Sequence, residues 1–295
     1  MSEKKGVGLV LEGGAMRGLF TCGVLDVFME QDIRLDGVVG VSAGACFGCN
    51  YVSCQPGRAF RYNMAYRNNW HYSGLRSLLK TGDLFGVDVC YREIPEETFP
   101  FDAKTFYESE VPFYVTVTDM DTGEAVYHRC VPEDRGFAWL QASASMPMVS
   151  RPVVIDGKRY LDGGIADSIP LEWMEGQGYA RNVVVLTRPR DYEKQHSRME
   201  ALFPVLLHGS PALVQAMRTR PDRYNASQRA VFEAEKEGRA FVICPDKPLP
   251  VSRVDHEKEH LATAYEMGRA TAYRQLEALA EFLKNASAQA GSAGK

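Results

Sequence analysis

Two short stretches of this 295-residue chain carry residue types that could do chemistry. The first is Gly40-Val41-Ser42-Ala43-Gly44, a Gly-x-Ser-x-Gly pattern. An apolar run from Gly37 to Val41 precedes Ser42, and a small-residue, helix-compatible segment runs from Ala43 to about Cys54. Strand, tight turn, helix is the context that a nucleophile elbow needs: the turn strains the serine backbone and lifts its hydroxyl above the strand end. Gly40 and Gly44 leave room for the helix to pack back on the strand. The helix N-terminus then aims free N–H groups at developing negative charge. The five residues alone are equally compatible with an ordinary glycine turn.

The second stretch is Glu12-Gly13-Gly14-Ala15-Met16-Arg17-Gly18, placed between an apolar strand (Val7 to Leu11) and a helix (Leu19 to Glu30). Such a turn presents backbone N–H groups to an anion. It suits either a nucleotide phosphate or the oxyanion of an ester undergoing attack. The nucleotide reading is the weaker, because no P-loop lysine follows and Ala15 breaks Gly-x-Gly-x-x-Gly. Two successive strand–turn–helix units predict a parallel sheet with both turns on one edge, where α/β folds bind ligands. A donor turn beside a serine elbow is the pair that acyl transfer requires.

A third motif is Asp162-Gly163-Gly164, delivered by a predicted hairpin over Val153 to Ile155 and Arg159 to Leu161 with an Asp156-Gly157 turn. The other predicted elements are helices over Pro56–Trp70, Asp134–Ser145, Leu171–Gln177, Pro211–Gly238 and His256–Lys284. Strands are predicted over Phe113–Thr118, Ala125–Arg129, Asn182–Thr187 and Phe241–Cys244. Lys80 to Tyr107 reads as an irregular connector or lid, and the Ala/Ser/Gly-rich stretch Asn285 to Lys295 as disordered. Arg58, Arg61 and Arg67, with Arg76 and Lys80, read as a solvated basic face or as a rim for an anionic head group or an acyl carrier. Arg218, Arg220 and Arg223 read as a solvated helix face.

A hydrophobic fraction of 45% and a net charge of −4 describe a globular chain with no electrostatic signature of nucleic-acid binding. The seven cysteines form no paired CxxC framework, so Cys46 and Cys49 read as core thiols in a reducing compartment. No signal peptide is expected, since Met1 to Lys5 is short, charged and followed directly by a strand. No apolar run approaches the ~20 residues of a membrane span. Asp119 and Asp121 have the wrong spacing for a calcium loop and read as turn-formers. The reading therefore includes no metal and no cofactor.

In chain order the three motifs, glycine turn, Gly-x-Ser-x-Gly and Asp-Gly-Gly, resemble the patatin-like phospholipase family. Thr118-Asp119 to Gly123-Glu124, Ala142-Ser143-Ala144-Ser145-Met146-Pro147, and Tyr160-Leu161-Asp162-Gly163-Gly164 with Ile169-Pro170 resemble it too, so the similarity spans Gly6 to Pro189. The resemblance implies a three-layer α/β/α fold with a mainly parallel central sheet and a helical C-terminal extension. It implies a core over 1–189, a helical part over 190–284 packed on it, and a 285–295 tail. It further implies a Ser–Asp dyad without histidine: Ser42 as nucleophile, Asp162 as base. The oxyanion hole would come from Gly13, Gly14 and Ala15 with Arg17, and Gly18, Gly40, Gly44, Gly163 and Gly164 would support the turns. Two departures are Ala15, where the family usually has glycine, and Ser168, where it often has asparagine.

The expected function is hydrolysis of lipid acyl esters (phospholipase A, lysophospholipase or esterase) through an acyl-enzyme. Rivals are an acyltransferase or thioesterase using the same intermediate, a Ser-Asp-His hydrolase drawing on His196, His208, His256 or His260, and a non-catalytic lipid-binding module. The expected location is cytoplasmic. Any membrane contact would be peripheral, through an apolar lid such as Leu78 to Val89. The acyl donor and oligomeric state are open at this level.

Overall fold

The computed structural model describes residues 6–134, 137–207 and 210–292, with side chains through 286. Eight strands form one sheet: β1 (Val7–Leu11), β2 (Gly37–Val41), β3 (Phe113–Asp119), β4 (Ala125–Arg129), β5 (Val153–Ile155), β6 (Lys158–Asp162), β7 (Arg181–Val185) and β8 (Ala240–Ile243). The order is β5-β6-β3-β2-β1-β7-β8, with β4 on the other edge of β3. Strands β2, β1, β7 and β8 run parallel with β3, while β4, β6 and β5 pair antiparallel. Helices are α1 (Gly18–Glu30), α2 (Ala43–Val52), α3 (Arg58–Tyr66), α4 (Leu75–Thr81), α5 (Ala103–Glu108), α6 (Ala138–Ala144), α7 (Leu171–Gly176), α8 (Phe203–Leu206), α9 (Pro211–Lys236) and α10 (Lys258–Ser292).

Strands β1 and β2 are buried along their whole length, which explains their uninterrupted apolar sequences. Alternate residues serve different cores. Leu9, Leu11, Val38, Val183 and Val185 face the layer that holds α1, α2, α3 and α10. Val10, Val39 and Val184 face the layer of α7 and α9 with Met174, Tyr224 and Val231. This period-two division makes the three layers. The buried Asp26 carboxylate of α1 accepts from Tyr265 Oη of α10 (2.7 Å) and from the Gly57 amide (2.9 Å), so the C-terminal helix is tied to the first one.

The C-terminal part is mainly helical but also extends the sheet, because β8 pairs with β7 in parallel. Between Lys80 and Tyr107, expected to be irregular, the chain forms a π-helix over Val89–Thr98 and then α5. Val89, Ile94 and Phe106 are buried there, so apolar anchoring outweighs the glycines and prolines that suggested a loop. Pro95 lies inside the π-helix, where its missing N–H removes a ladder bond. The expected unstructured tail is also corrected: α10 continues to Ser292 through an alanine-rich stretch, and alanine is the strongest helix former. Residues 293–295 lie outside the described residues, as do Arg135 and Gly136 of the helix expected from Asp134.

Candidate active site

Ser42 stands between β2 and α2 with φ 53° and ψ −120°, a left-handed conformation for a non-glycine residue. Such strain persists only where the surroundings over-determine it. They do so here. The Ser42 amide donates to Ser143 Oγ at 2.7 Å, and Ser143 Oγ donates to the Thr116 carbonyl at 2.7 Å. A Cβ on Gly44 would lie 2.4 Å from the Leu11 carbonyl oxygen, and one on Gly40 would lie 2.6 Å from Ala45. Neither position tolerates a side chain while the elbow keeps this shape.

Asp162 reaches Ser42 through a change of partner along β3. Strand β2 occupies one edge of β3 as far as Val41 opposite Thr116. The next residue, Val117, pairs with Asp162 of β6, and Thr118 with Leu161. Val117 and Thr118 also pair with β4, so β6 takes over the edge that β2 leaves. The serine after β2 and the aspartate ending β6 are thereby brought together across more than a hundred residues of chain. Thr118 Oγ1 donates to the Asp162 carbonyl (2.8 Å) and the Asp162 amide donates to the Ser145 carbonyl (2.8 Å). The Gly164 amide donates to Asp162 Oδ1 (2.7 Å), while Gly163 lies so close to Thr116 that a Cβ would sit 2.1 Å from its carbonyl.

Both Ser42 and Asp162 are buried. Burial pushes the Asp162 carboxyl above the usual carboxylate range. Arg220, a hydrogen bond from the Ser42 side chain and the Gly164 amide all oppose that rise.

Gly13, Gly14, Ala15 and Arg17 come to the same place from the other side. The turn after β1 is held by Glu12, whose carboxylate accepts from the Tyr224 hydroxyl (2.8 Å) and the Thr187 amide (2.5 Å). Thr187 Oγ1 donates to the Gly13 carbonyl (3.2 Å). Ala15 has φ 49°, so it adopts the backbone conformation that a glycine would take without strain. Gly18 packs its α-carbon against Phe47 and Ala43 of α2.

Two cavities meet at Ser42, and Ala15, Ser42 and Met146 line both. One, of about 840 Å³, is apolar, walled by Phe47, Tyr62, Tyr72, Tyr91, Ile94 and Leu140. The π-helix therefore forms part of its wall. Cys46, Cys49 and Cys90 also face it, with burial raising the first two thiols to about 12. All seven cysteines are free. The other cavity, about 1560 Å³ including its mouth, contains Asp162 and five cations: Arg17, Arg188, Lys194, Arg220 and Arg253. Ser168 faces this cavity too and donates to the Gly164 carbonyl (2.9 Å).

Several readings of the basic residues change. Arg58 is buried rather than solvated, and donates to the Phe99 and Pro100 carbonyls and to Asn50 Oδ1 (2.8, 3.2 and 2.7 Å). Arg220 and Arg223 are half-buried and donate to the Gly164 and Ile165 carbonyls (2.6 and 2.8 Å); only Arg218 of that trio is exposed. The sequence-based reading missed the active-site position of Arg220. The available signal was the three-to-four spacing of Arg220 and Tyr224, which puts both on one face of a helix.

The histidines stay apart from Ser42. His196 bonds Glu200 and Asp222, His256 the Arg67 carbonyl and His260 Asp255. None of these three lines either cavity. His208 lies outside the described residues. Among the described residues no group of three or more His, Cys, Asp or Glu could hold a metal ion. Among the described residues no helix is long and apolar enough to cross a membrane.

Comparison with known proteins adds independent findings. The family model of the patatin-like phospholipases matches residues 9–173, and a model of a domain of unknown function matches 210–284. The chain is 31% identical over 275 residues to an uncharacterised protein, YjjU, of Escherichia coli K12, covering 89% of this chain and 75% of that one. It is 28% identical over 190 residues to the lysophospholipase nte1 of Aspergillus niger, covering 59% of this chain but only 11% of that much longer protein. Among solved structures, VipD from Legionella pneumophila aligns with a TM-score of 0.49 at 15% identity, over 94% of this chain and 68% of that one.

Proposed function

The chain belongs to the patatin-like phospholipase family, and we propose that within it this protein cleaves lipid acyl esters by a Ser42–Asp162 dyad. One observation carries the reading: a strained, buried serine and a buried aspartate meet where an apolar cavity joins a polar one. An ester of a fatty acid has that same division at its carbonyl.

In the proposed cycle, Ser42 Oγ attacks the ester carbonyl while its proton passes to Asp162. Serine needs such a base, and a carboxylate raised by burial is a stronger one than a solvated carboxylate. The amides of Gly13, Gly14 and Ala15, with Arg17 beside them, would receive the charge on the carbonyl oxygen. Collapse of the tetrahedral intermediate expels the alcohol, which takes the proton from protonated Asp162. Water then attacks the acyl-enzyme as Asp162 accepts its proton, and collapse of this second intermediate returns that proton from Asp162 to Ser42 Oγ as the fatty acid departs, restoring the serine hydroxyl and the Asp162 carboxylate. The lysophospholipase relatives support a lipid ester as substrate. Leu75 and Leu79, four apart on α4 and strongly exposed, are the proposed points of contact with a bilayer.

The test is labelling with a serine-directed fluorophosphonate, together with hydrolysis of p-nitrophenyl esters. Wild type should label and turn over, and Ser42→Ala should do neither while melting at an unchanged temperature. Turnover retained in Ser42→Ala would remove the serine from the mechanism. An unlabelled, inactive wild type would favour a lipid-binding module.

A further inference from the structure

The polar cavity holds more positive charge than the proposed chemistry uses. Arg17, Arg188, Lys194, Arg220 and Arg253 face it together with only Glu12, Asp162 and Glu200. Glu12 is already bonded to Tyr224 and Thr187, and Glu200 to His196 and the Ser197 amide. Among the described residues none of the five cations makes an ion pair. Arg17 Nε is buried with no hydrogen-bond partner. Grouped cations in a partly buried chamber repel one another and forfeit hydration, so this arrangement is favourable only when an anion completes it.

The aromatic faces point the same way. A quaternary ammonium such as choline is held over open aromatic rings. Of the three rings that line the cavity, two are covered by the protein's own cations, Arg188 lying 4.3 Å from the Tyr192 centroid and Lys194 4.0 Å from that of Tyr224, and Phe203 by itself makes no aromatic cage. A choline group entering this cavity would meet positive charge instead of π-electrons. Guanidinium and ammonium groups from several directions suit the oxygens of a phosphate.

We propose that the polar cavity is a subsite for a phosphate-bearing anionic head group, so that the preferred substrate is an acidic phospholipid or lysophospholipid rather than a choline or neutral ester. The assignment of the head group to a substrate rests on the hydrolase reading above. It also gives a task to the C-terminal part. Four of the five cations lie beyond residue 173, and Arg220 and Arg253 fall within the segment matched to a domain of unknown function. In this arrangement the first 173 residues hold the acyl chain and the reacting carbonyl, and the remainder selects the alcohol side of the ester.

Binding is tested separately from turnover. Ser42→Ala protein is titrated calorimetrically at low salt with glycerol 3-phosphate and with inorganic phosphate. Wild-type turnover is compared on lysophosphatidic acid, lysophosphatidylcholine and monoacylglycerol of one chain length. The expected results are saturable binding of glycerol phosphate, weakened about tenfold or more by Arg188→Gln/Arg253→Gln, and a kcat/KM at least about tenfold higher for the phosphate monoester, a ratio that collapses in the double variant. Lys194→Gln serves as a second variant if the first does not fold.

Equal turnover of the three lipids, or no saturable binding of glycerol phosphate, overturns the subsite and leaves the hydrolase reading intact. Binding of inorganic phosphate without any head-group preference in turnover reveals a free-anion site and also overturns it. Binding of glycerol phosphate with no turnover of any ester retains the anion subsite and removes the hydrolase.

Discussion

The two cavities that meet at Ser42 treat positive charge in different ways. In the apolar cavity, Arg58 is buried and, without an ion pair among the described residues, donates to two backbone carbonyls and Asn50. Its charge is spent inside the protein, and the wall it belongs to stays suited to hydrocarbon. In the polar cavity, four half-buried cations and the exposed Arg253 also lack ion pairs, and among the described residues only Arg220 donates a side-chain hydrogen bond, to the Gly164 carbonyl. A buried cation held by carbonyl and amide oxygens is architecture, because its desolvation is compensated in the folded chain. An unpaired group of them has its compensation outside the chain, and so indicates what the cavity is for. The same contrast runs along the sequence, since every residue lining the apolar cavity precedes Pro147, whereas most of the cations come after residue 173.

Asp162 faces the polar cavity but is hydrogen-bonded by Ser42, which lines both, and so should not distinguish them. Asp162→Asn is expected to reduce kcat by at least about 10³-fold on every ester, whatever its chain or head group. A loss confined to anionic substrates would give Asp162 a role in head-group binding rather than as the shared base.

The apolar side can be separated by filling it. Ala144 lines only that cavity. Ala144→Phe is expected to lower kcat/KM for dodecanoyl esters about tenfold or more while butanoyl esters change little. Equal losses on both chain lengths would show that the cavity does not hold the acyl chain.

The polar side should respond to pH. Burial, reinforced by Arg220, Arg17 and Arg188 and opposed by Glu12, brings the Lys194 ammonium down to about 7. Lysine is charged below its pKa, so the preference for anionic head groups should be greatest near pH 6 and diminish as pH rises through 7. Lys194→Arg, which stays charged, should keep the preference up to pH 8. The measurement is the ratio of kcat/KM for lysophosphatidylglycerol, a phosphodiester whose charge is constant over that range, and a neutral monoacylglycerol.

The smallest effect is expected at the turn between the cavities. Ala15 has a positive φ, which costs an L-residue roughly 1 kcal/mol. Ala15→Gly should therefore raise stability toward urea by about 0.5 kcal/mol, part of the gain being lost to the freedom of glycine in the unfolded chain. A decrease would mean that the alanine methyl is needed where the cavities join.

Much of the frame was legible in local sequence. The runs in β1 and β2 are apolar throughout because both faces are covered, and each ends in glycine-bearing turns that local chemistry announces. The Asp156-Gly157 turn likewise announced the β5–β6 hairpin. The basic residues were not legible in this way. Arg58 and Arg220 look like their solvated neighbours Arg61 and Arg218, and only packing buries one of each pair. The segment from Lys80 to Tyr107 was misread for a related reason: its glycines and prolines are local signals, whereas the burial of Val89 and Ile94 that orders it is not.

Sequence alone determined the strand–turn–helix units, the parallel sheet they build and the family resemblance, since those depend on residue periodicity and turn chemistry within a few positions. Tertiary structure alone decided that β6 takes over the edge of β3 where β2 ends, which brings Asp162 to Ser42. It also decided that cations as far apart as Arg17 and Arg253 face one cavity. Both are long-range juxtapositions. A side chain's charge is written in the sequence, but what neutralises that charge depends on what the fold packs against it.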